Sequence, residues 1–214
     1  MKHLKLFESM TEIEVDKICK KYGIKNWSLN PDGTVDVDGN VDLSRQRLSK
    51  LPLKFGRVTG YFFCSYNQLT SLEGCPTEIG GNFYCHINLL TSLKGCPTEI
   101  GGNFYCYNNQ LTSLEGCPKE ISGSFFCYNN QLTSLKGAPE YIEGKVDFMP
   151  NNNLPVYIKQ ILKLNGDDKD IQKYILKWQK DYDVWRRDGS FNQDRFILMM
   201  QDAGDELPKI KLPK

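Results

Sequence analysis

Eight cysteines and two histidines are the side chains of this 214-residue chain best suited to metal binding, redox chemistry or nucleophilic attack. Cys64, Cys85, Cys106 and Cys127 recur every 21 residues, Cys75, Cys96 and Cys117 keep the same interval, and only Cys19 stands outside both series. Zinc ligands converge on one ion and come in close pairs such as C-x2-C. No such pair exists in the sequence, so no metal site and no cofactor are expected. Disulfides between neighbouring copies are within reach, because in-register strands lie about 4.8 Å apart and bridged Cα atoms roughly 4.4–6.8 Å apart. Equivalent side chains of a parallel stack point the same way, however, and the expected compartment is reducing. The thiols therefore read as small apolar residues in a core. His3 lies near the chain start, and His86 stands where other copies carry Ser65, Tyr107 and Tyr128, so it reads as ordinary surface. No phosphate loop, zinc helix or serine elbow occurs, so no catalytic residue is assigned and the chain is not expected to be an enzyme.

The cysteine interval belongs to a repeat. Four near-identical copies run VTGYFFCSYNQLTSLEGCPTE from Val58, IGGNFYCHINLLTSLKGCPTE from Ile79, IGGNFYCYNNQLTSLEGCPKE from Ile100 and ISGSFFCYNNQLTSLKGAPEY from Ile121. A diverged copy precedes them, with Leu43, Leu48 and Leu51 in register. Another follows, keeping Phe148 and Asn151 while its next leucine slips to Leu154. About six turns are expected. Phe62, Phe83, Phe104 and Phe125 take one inward strand position and the Cys two places on takes the next, as strand alternation requires. Asn67, Asn88, Asn109 and Asn130 fall where a ladder of amide side chains can satisfy backbone groups left unpaired as the chain bends. Glycines precede each strand, and Pro76, Pro97, Pro118 and Pro139 prevent the return arc from becoming a helix. The pattern Phe-x-Cys-x-x-Asn-x-Leu-x-x-Leu matches the core of a leucine-rich repeat. The expected fold is α+β: a leucine-rich repeat solenoid over residues 40–154, with a parallel sheet on the concave face and an irregular or 3₁₀ convex side.

A stacked solenoid needs polar-faced caps. Residues 1–39 supply a helix and an edge strand: Thr11-Glu12-Ile13-Glu14 reads as a capping box, Val15, Ile18, Cys19 and Tyr22 share a face, and Gly23 ends the helix. Pro31-Asp32-Gly33 reads as a turn before a strand at Thr34–Val37. In residues 155–214, Ile171, Tyr174, Ile175, Trp178, Tyr182 and Trp185 form one stripe, predicting a helix of four or five turns closed by Arg186 and Arg187. Shorter helices are expected at Val156–Leu164 and Asn192–Asp202. This helical tail reads as packing onto the last repeat, with a homo-oligomer contact as its alternative role.

Twenty-seven basic against 26 acidic residues give a net charge of +1, which argues against a dedicated polyanion binder. No apolar run is long enough for a signal-peptide core or a membrane span, so a cytoplasmic protein without membrane contact is expected. The strand residues that face outward include Tyr61, Phe63, Tyr84, His86, Tyr105, Tyr107, Phe126 and Tyr128. Aromatic columns of this kind mark recognition surfaces, and these eight are the candidate partner-binding residues. Aromatic columns also stack nucleic-acid bases, but residues 56–140 hold four basic and six acidic side chains, so the cationic groove is missing. A protein partner is expected, with a sugar or nucleotide ligand as the alternative.

The four copies, GGNFYCYNNQLTSLEGCP being the clearest, together with NPDGTVDVDGNVDLS and LPLKFGRVTG, resemble the short leucine-rich repeat proteins encoded by tailed bacteriophages and related bacterial elements. The resemblance covers residues 27–154. It implies a cytosolic binding module in an infected bacterium that binds and blocks a host protein or an antiphage defence complex. Cys and Phe at leucine positions, and the lack of flanking disulfide caps, depart from eukaryotic relatives and put receptor-like roles in doubt.

Overall fold

Each 21-residue copy folds as two short strands, where the sequence pattern predicts one strand and an irregular arc. The computed structural model describes residues 10–203, 207 and 210–212, so His3 lies outside the described residues. One sheet has the strand order β1 (Trp27–Leu29), β2 (Val35–Val37), β4 (Phe55–Val58), β6 (Glu78–Ile79), β8 (Glu99–Ile100), β10 (Glu120–Ile121) and β12 (Tyr141–Ile142). The second comprises β3 (Val41–Asp42), β5 (Phe62–Phe63), β7 (Phe83–Tyr84), β9 (Phe104–Tyr105), β11 (Phe125–Phe126) and β13 (Val146–Asp147). Every pairing is parallel except that of β1 with β2, and the repeat pairs in register, Phe62 beside Phe83 beside Phe104 beside Phe125. The result is a β-solenoid of about five turns, one fewer than predicted, because six strands of the second sheet enclose five steps. Among the described residues no 3₁₀ helix forms. The Glu-Ile pair of each copy instead enters a ladder of its own, with Thr98 N–H on the Thr77 carbonyl (2.9 Å) and Gly101 N–H on the Ile79 carbonyl (2.8 Å).

Phe62, Phe83, Phe104 and Phe125, the cysteines two places on, and the leucines at 69, 72, 90, 93, 111, 114, 132 and 135 are completely buried. At the corner between the sheets the amide of Asn82 reaches over the next turn and accepts the Asn103 N–H at 2.7 Å. A Cβ on Gly102 would sit 2.3 Å from that oxygen, so only glycine leaves room for the bond.

The asparagine column does what the sequence predicts. Asn109 Oδ1 accepts the Leu90 N–H (3.0 Å), and its Nδ2 donates to the carbonyls of Cys85 and Cys106 (3.1 Å each). Asn88 and Asn130 repeat this arrangement, and Asn151 continues it although Leu154 has slipped. The residues before Asn67, Asn88, Asn109 and Asn130 have positive φ: Tyr66 (56°), Ile87 (55°), Asn108 (52°) and Asn129 (51°). Asn tolerates that region, whereas β-branched Ile87 is strained there.

At the chain start, α1 (Glu12–Tyr22) carries the expected capping box, Glu14 accepting the Thr11 N–H at 2.8 Å, and ends at Gly23 with φ 66°. After the solenoid come α2 (Val156–Leu164), α3 (Lys169–Trp178) and α4 (Gln193–Asp202). The predicted four- to five-turn helix is cut to ten residues. Gln179, next after Trp178, turns its amide to the Leu135 carbonyl (3.1 Å), and Trp185 pairs with Phe191 across an isolated bridge. Tyr182 and Trp185 therefore lie beyond the helix, and Arg186 and Arg187 do not close it. Helix α3 lies over β13 and supplies what a further turn would: Gln172 Oε1 accepts the Phe148 N–H (2.7 Å), and Lys173 Nζ donates to the carbonyls of Glu143 (2.9 Å) and Gly144 (3.1 Å).

Replacing Asn109 by Ala leaves the Leu90 N–H inside the stack without a partner, while the Cys85 and Cys106 carbonyls keep one amide each, from Asn88 and Asn130. At about 1–3 kcal/mol per orphaned group, Asn109→Ala is expected to lower unfolding free energy by roughly 1–3 kcal/mol in urea titration. Ile87→Asn, which relieves the left-handed strain, is expected to raise it by about 1 kcal/mol in the same measurement.

Candidate binding surface

In-register pairing dictates how the outward side chains meet. Phe63, Tyr84, Tyr105 and Phe126 occupy one strand position in consecutive turns, and their rings stack with centroids 4.5, 4.7 and 4.9 Å apart and planes within 6° of parallel. His86, Tyr107 and Tyr128, two residues further along, stack at 4.5 Å each. Rings of the two columns meet at 69–82°, so the columns lean in opposite senses as a herringbone. Tyr61 packs edge-on to Phe63 at 6.0 Å. All eight predicted residues thus join one continuous surface, but not as freely exposed rings. Phe63, Tyr84, Tyr105, Tyr107, Phe126 and Tyr128 are half-buried against one another, Tyr61 is 44% exposed, and His86 is only 8% exposed. The expectation that His86 is ordinary surface is corrected: it lies under Tyr66, with which it makes an edge contact at 5.4 Å, and against Tyr107.

The phenols are individually placed. Asn82 Nδ2 donates to the Tyr84 hydroxyl (2.8 Å) and Asn103 Nδ2 to that of Tyr105 (3.1 Å). Burial, then the neighbouring Tyr84, pushes the Tyr105 phenol up. Burial and Tyr128 push Tyr107 up to about 12, and burial followed by Asp147 raises Tyr128. These groups remain protonated donors at neutral pH. His86 Nδ1 is buried without a hydrogen-bond partner, and burial pushes the imidazole down to about 4, so it is neutral as well. From Tyr61 to Asn129 no outward position of this sheet carries a formal charge. Charges appear only at the ends, in Asp42 and Arg45 and in Lys145 and Asp147, the last paired with Lys169 at 2.7 Å.

No protein family, curated protein or solved structure matches the chain. The reading of this surface therefore rests on its own geometry.

Two features escaped the sequence reading. Tyr66 extends the surface beneath the Arg45 guanidinium, 4.1 Å from its ring centroid. Its equivalents are Ile87, Asn108 and Asn129, so no periodic signal marked it. Over the other sheet lies a hollow of about 570 Å³ bordered by Glu78, Glu99 and Glu120. The recurring Glu-Ile pair is its sequence signal, but two residues without alternation do not by themselves predict a strand. The cysteines are free thiols. Burial raises those of Cys75, Cys85, Cys96, Cys106 and Cys117 well above the usual range and Cys19 to about 11, which removes nucleophilic character at neutral pH. Among the described residues no group of three His, Cys, Asp or Glu is placed to hold a metal ion, and no helix is long and apolar enough to cross a membrane.

A histidine whose folded pKa is depressed from 6.5 to about 4 contributes stability that is complete above pH 6.5 and is lost as pH falls towards 4. His86→Tyr, the residue of the next two turns, removes that dependence. Unfolding free energies at pH 7 and pH 4 should differ by about 3 kcal/mol more for the native chain than for the variant.

Proposed function

We propose that this chain is a non-catalytic binding module, and that its herringbone of aromatic rings docks on a protein partner and occludes a surface that partner needs. The observation that carries this reading is the stacked, uncharged ring face. Its side chains are already ordered by the backbone register, so docking costs little side-chain entropy. Tyr and Phe also contribute large buried area per residue, as at known hot spots. The repeat pattern resembles that of short leucine-rich repeat proteins of tailed bacteriophages, and from that context the proposed partner is a host protein or an antiphage defence complex met in the host cytoplasm. Nothing in the stack argues for catalysis: burial raises the phenols of Tyr105, Tyr107 and Tyr128, and the thiols of Cys64, Cys85, Cys106 and Cys127 are buried.

The sugar or nucleotide alternative draws less support from the geometry. Stacking of a ligand ring needs an open aromatic face, and Tyr84 and Tyr105 each have both faces taken by neighbours. Phosphate binding needs cations, which the central face lacks.

The test is site-specific photo-crosslinking in host cells, with the reactive residue at position 107 in one experiment and at position 99, on the other sheet, in a second. Position 107 is expected to capture a discrete partner that position 99 does not. Tyr84→Ala with Tyr105→Ala is expected to reduce that capture at least tenfold while the chain stays folded by circular dichroism. Undiminished capture in the double variant would transfer the binding role to the helices after residue 155.

A further inference from the structure

We infer that the segment recognised by the ring face is a short, uncharged, proline-rich stretch in the polyproline II conformation, laid along the solenoid axis. This deepens the binding role proposed above and rests on it. Three observations converge on that chemistry.

The first is hydrogen-bond sense. The Tyr84 and Tyr105 hydroxyls each accept from their own Asn side chain, so each retains its hydrogen for an outside acceptor. The face therefore offers a series of neutral donors. A polyproline II segment forms no internal hydrogen bonds and its prolines have no N–H, so its backbone presents carbonyl acceptors.

The second observation is spacing. Two steps along the ring column, from Phe63 to Tyr84 and on to Tyr105, cover 4.5 and 4.7 Å. One turn of polyproline II takes three residues at about 3.1 Å, roughly 9.3 Å in all, and so matches two ring steps. An extended strand repeats its side chains at about 6.8 Å and falls out of step after one interval.

The third is extent and charge. Three steps of about 4.8 Å make a ring face on the order of 14 Å long, with no charge between its ends. That is too small for the roughly 800 Å² per partner of a stable protein dimer, which argues against a second copy as occupant. It suits about five or six residues of a preformed helix, whose ordering costs little, in the manner of aromatic grooves that read proline-rich segments.

The experiment uses the full chain, isotope-labelled, titrated with a nine-residue peptide of three Ala-Pro-Pro units and with a glycine-serine peptide of equal length. The expected result is saturable chemical-shift change confined to the face from Tyr61 to Asn129, from the proline peptide only. Tyr84→Phe with Tyr105→Phe keeps both rings and removes the donors, and is expected to weaken that binding about tenfold while the remaining spectrum is unchanged. Absence of saturable shifts at millimolar peptide, equal shifts from the control peptide, or undiminished binding by the phenylalanine variant would overturn the inference. So would saturation of the same face by an oligosaccharide or by self-association in its place. If photo-crosslinks from position 107 form while the proline peptide fails, the docking role stands and only this choice of partner falls; if neither occurs, both fall.

Discussion

The asparagine column is the constraint on which the rest of the molecule depends. A chain that bends off a strand every 21 residues leaves backbone donors and acceptors inside the bend, where water cannot reach them. Asn88, Asn109, Asn130 and Asn151 each accept an N–H from the preceding turn and donate to a carbonyl of that turn and one of their own. Each amide is thus a staple between turns and fixes their register as well as their proximity. A one-residue slip would turn the Phe and Cys columns out of the core and break every staple at once, so register and burial reinforce each other.

Register then decides what chemistry the surface can do. Catalysis and metal binding need different side chains converging on one point, whereas a solenoid of near-identical turns places the same side chain again and again along a line. The eight cysteines illustrate this: they are numerous, yet seven of them lie in two columns, where burial raises the thiols of Cys75, Cys85, Cys96, Cys106 and Cys117. Outside, the same translation converts single tyrosines into a stack. Stacking stabilises the rings but consumes their faces, leaving edges and hydroxyls to meet a partner. A ladder of this type is suited to long, periodic, neutral contacts.

Much of this was legible in the sequence because the repeat exposes it. Identical spacing of Phe, Cys, Asn and Leu defined the core, the asparagine ladder and the ring columns, and Thr11, Glu14 and Gly23 marked both ends of α1. What was lost came from places where tertiary contacts override a local pattern. The Glu-Ile pairs are two residues long and carry no alternation, so only stacking against neighbours makes them strands. The stripe through Tyr182 and Trp185 has helical spacing, but Gln179 is drawn to the last turn and ends the helix at Trp178. His86 read as surface because its column is surface elsewhere. Its burial depends on Tyr66, a turn residue whose equivalents in the other copies are not aromatic.

The end of the solenoid bears on why we propose the lateral face as the recognition surface. A parallel sheet that simply stopped at β13 would present unpaired N–H and C=O groups to any passing strand. Gln172, Lys173 and Gln179 meet those groups with side chains from α3 and its flank, imitating one further turn without its strands. Strand addition at that edge is thereby blocked. At the opposite end β1 reverses direction against β2, so a parallel turn cannot continue the first sheet there. With strand addition obstructed at these positions, the proposed binding role rests on side chains on the flank of the stack, where the ordered, uncharged rings run from Tyr61 to Tyr128.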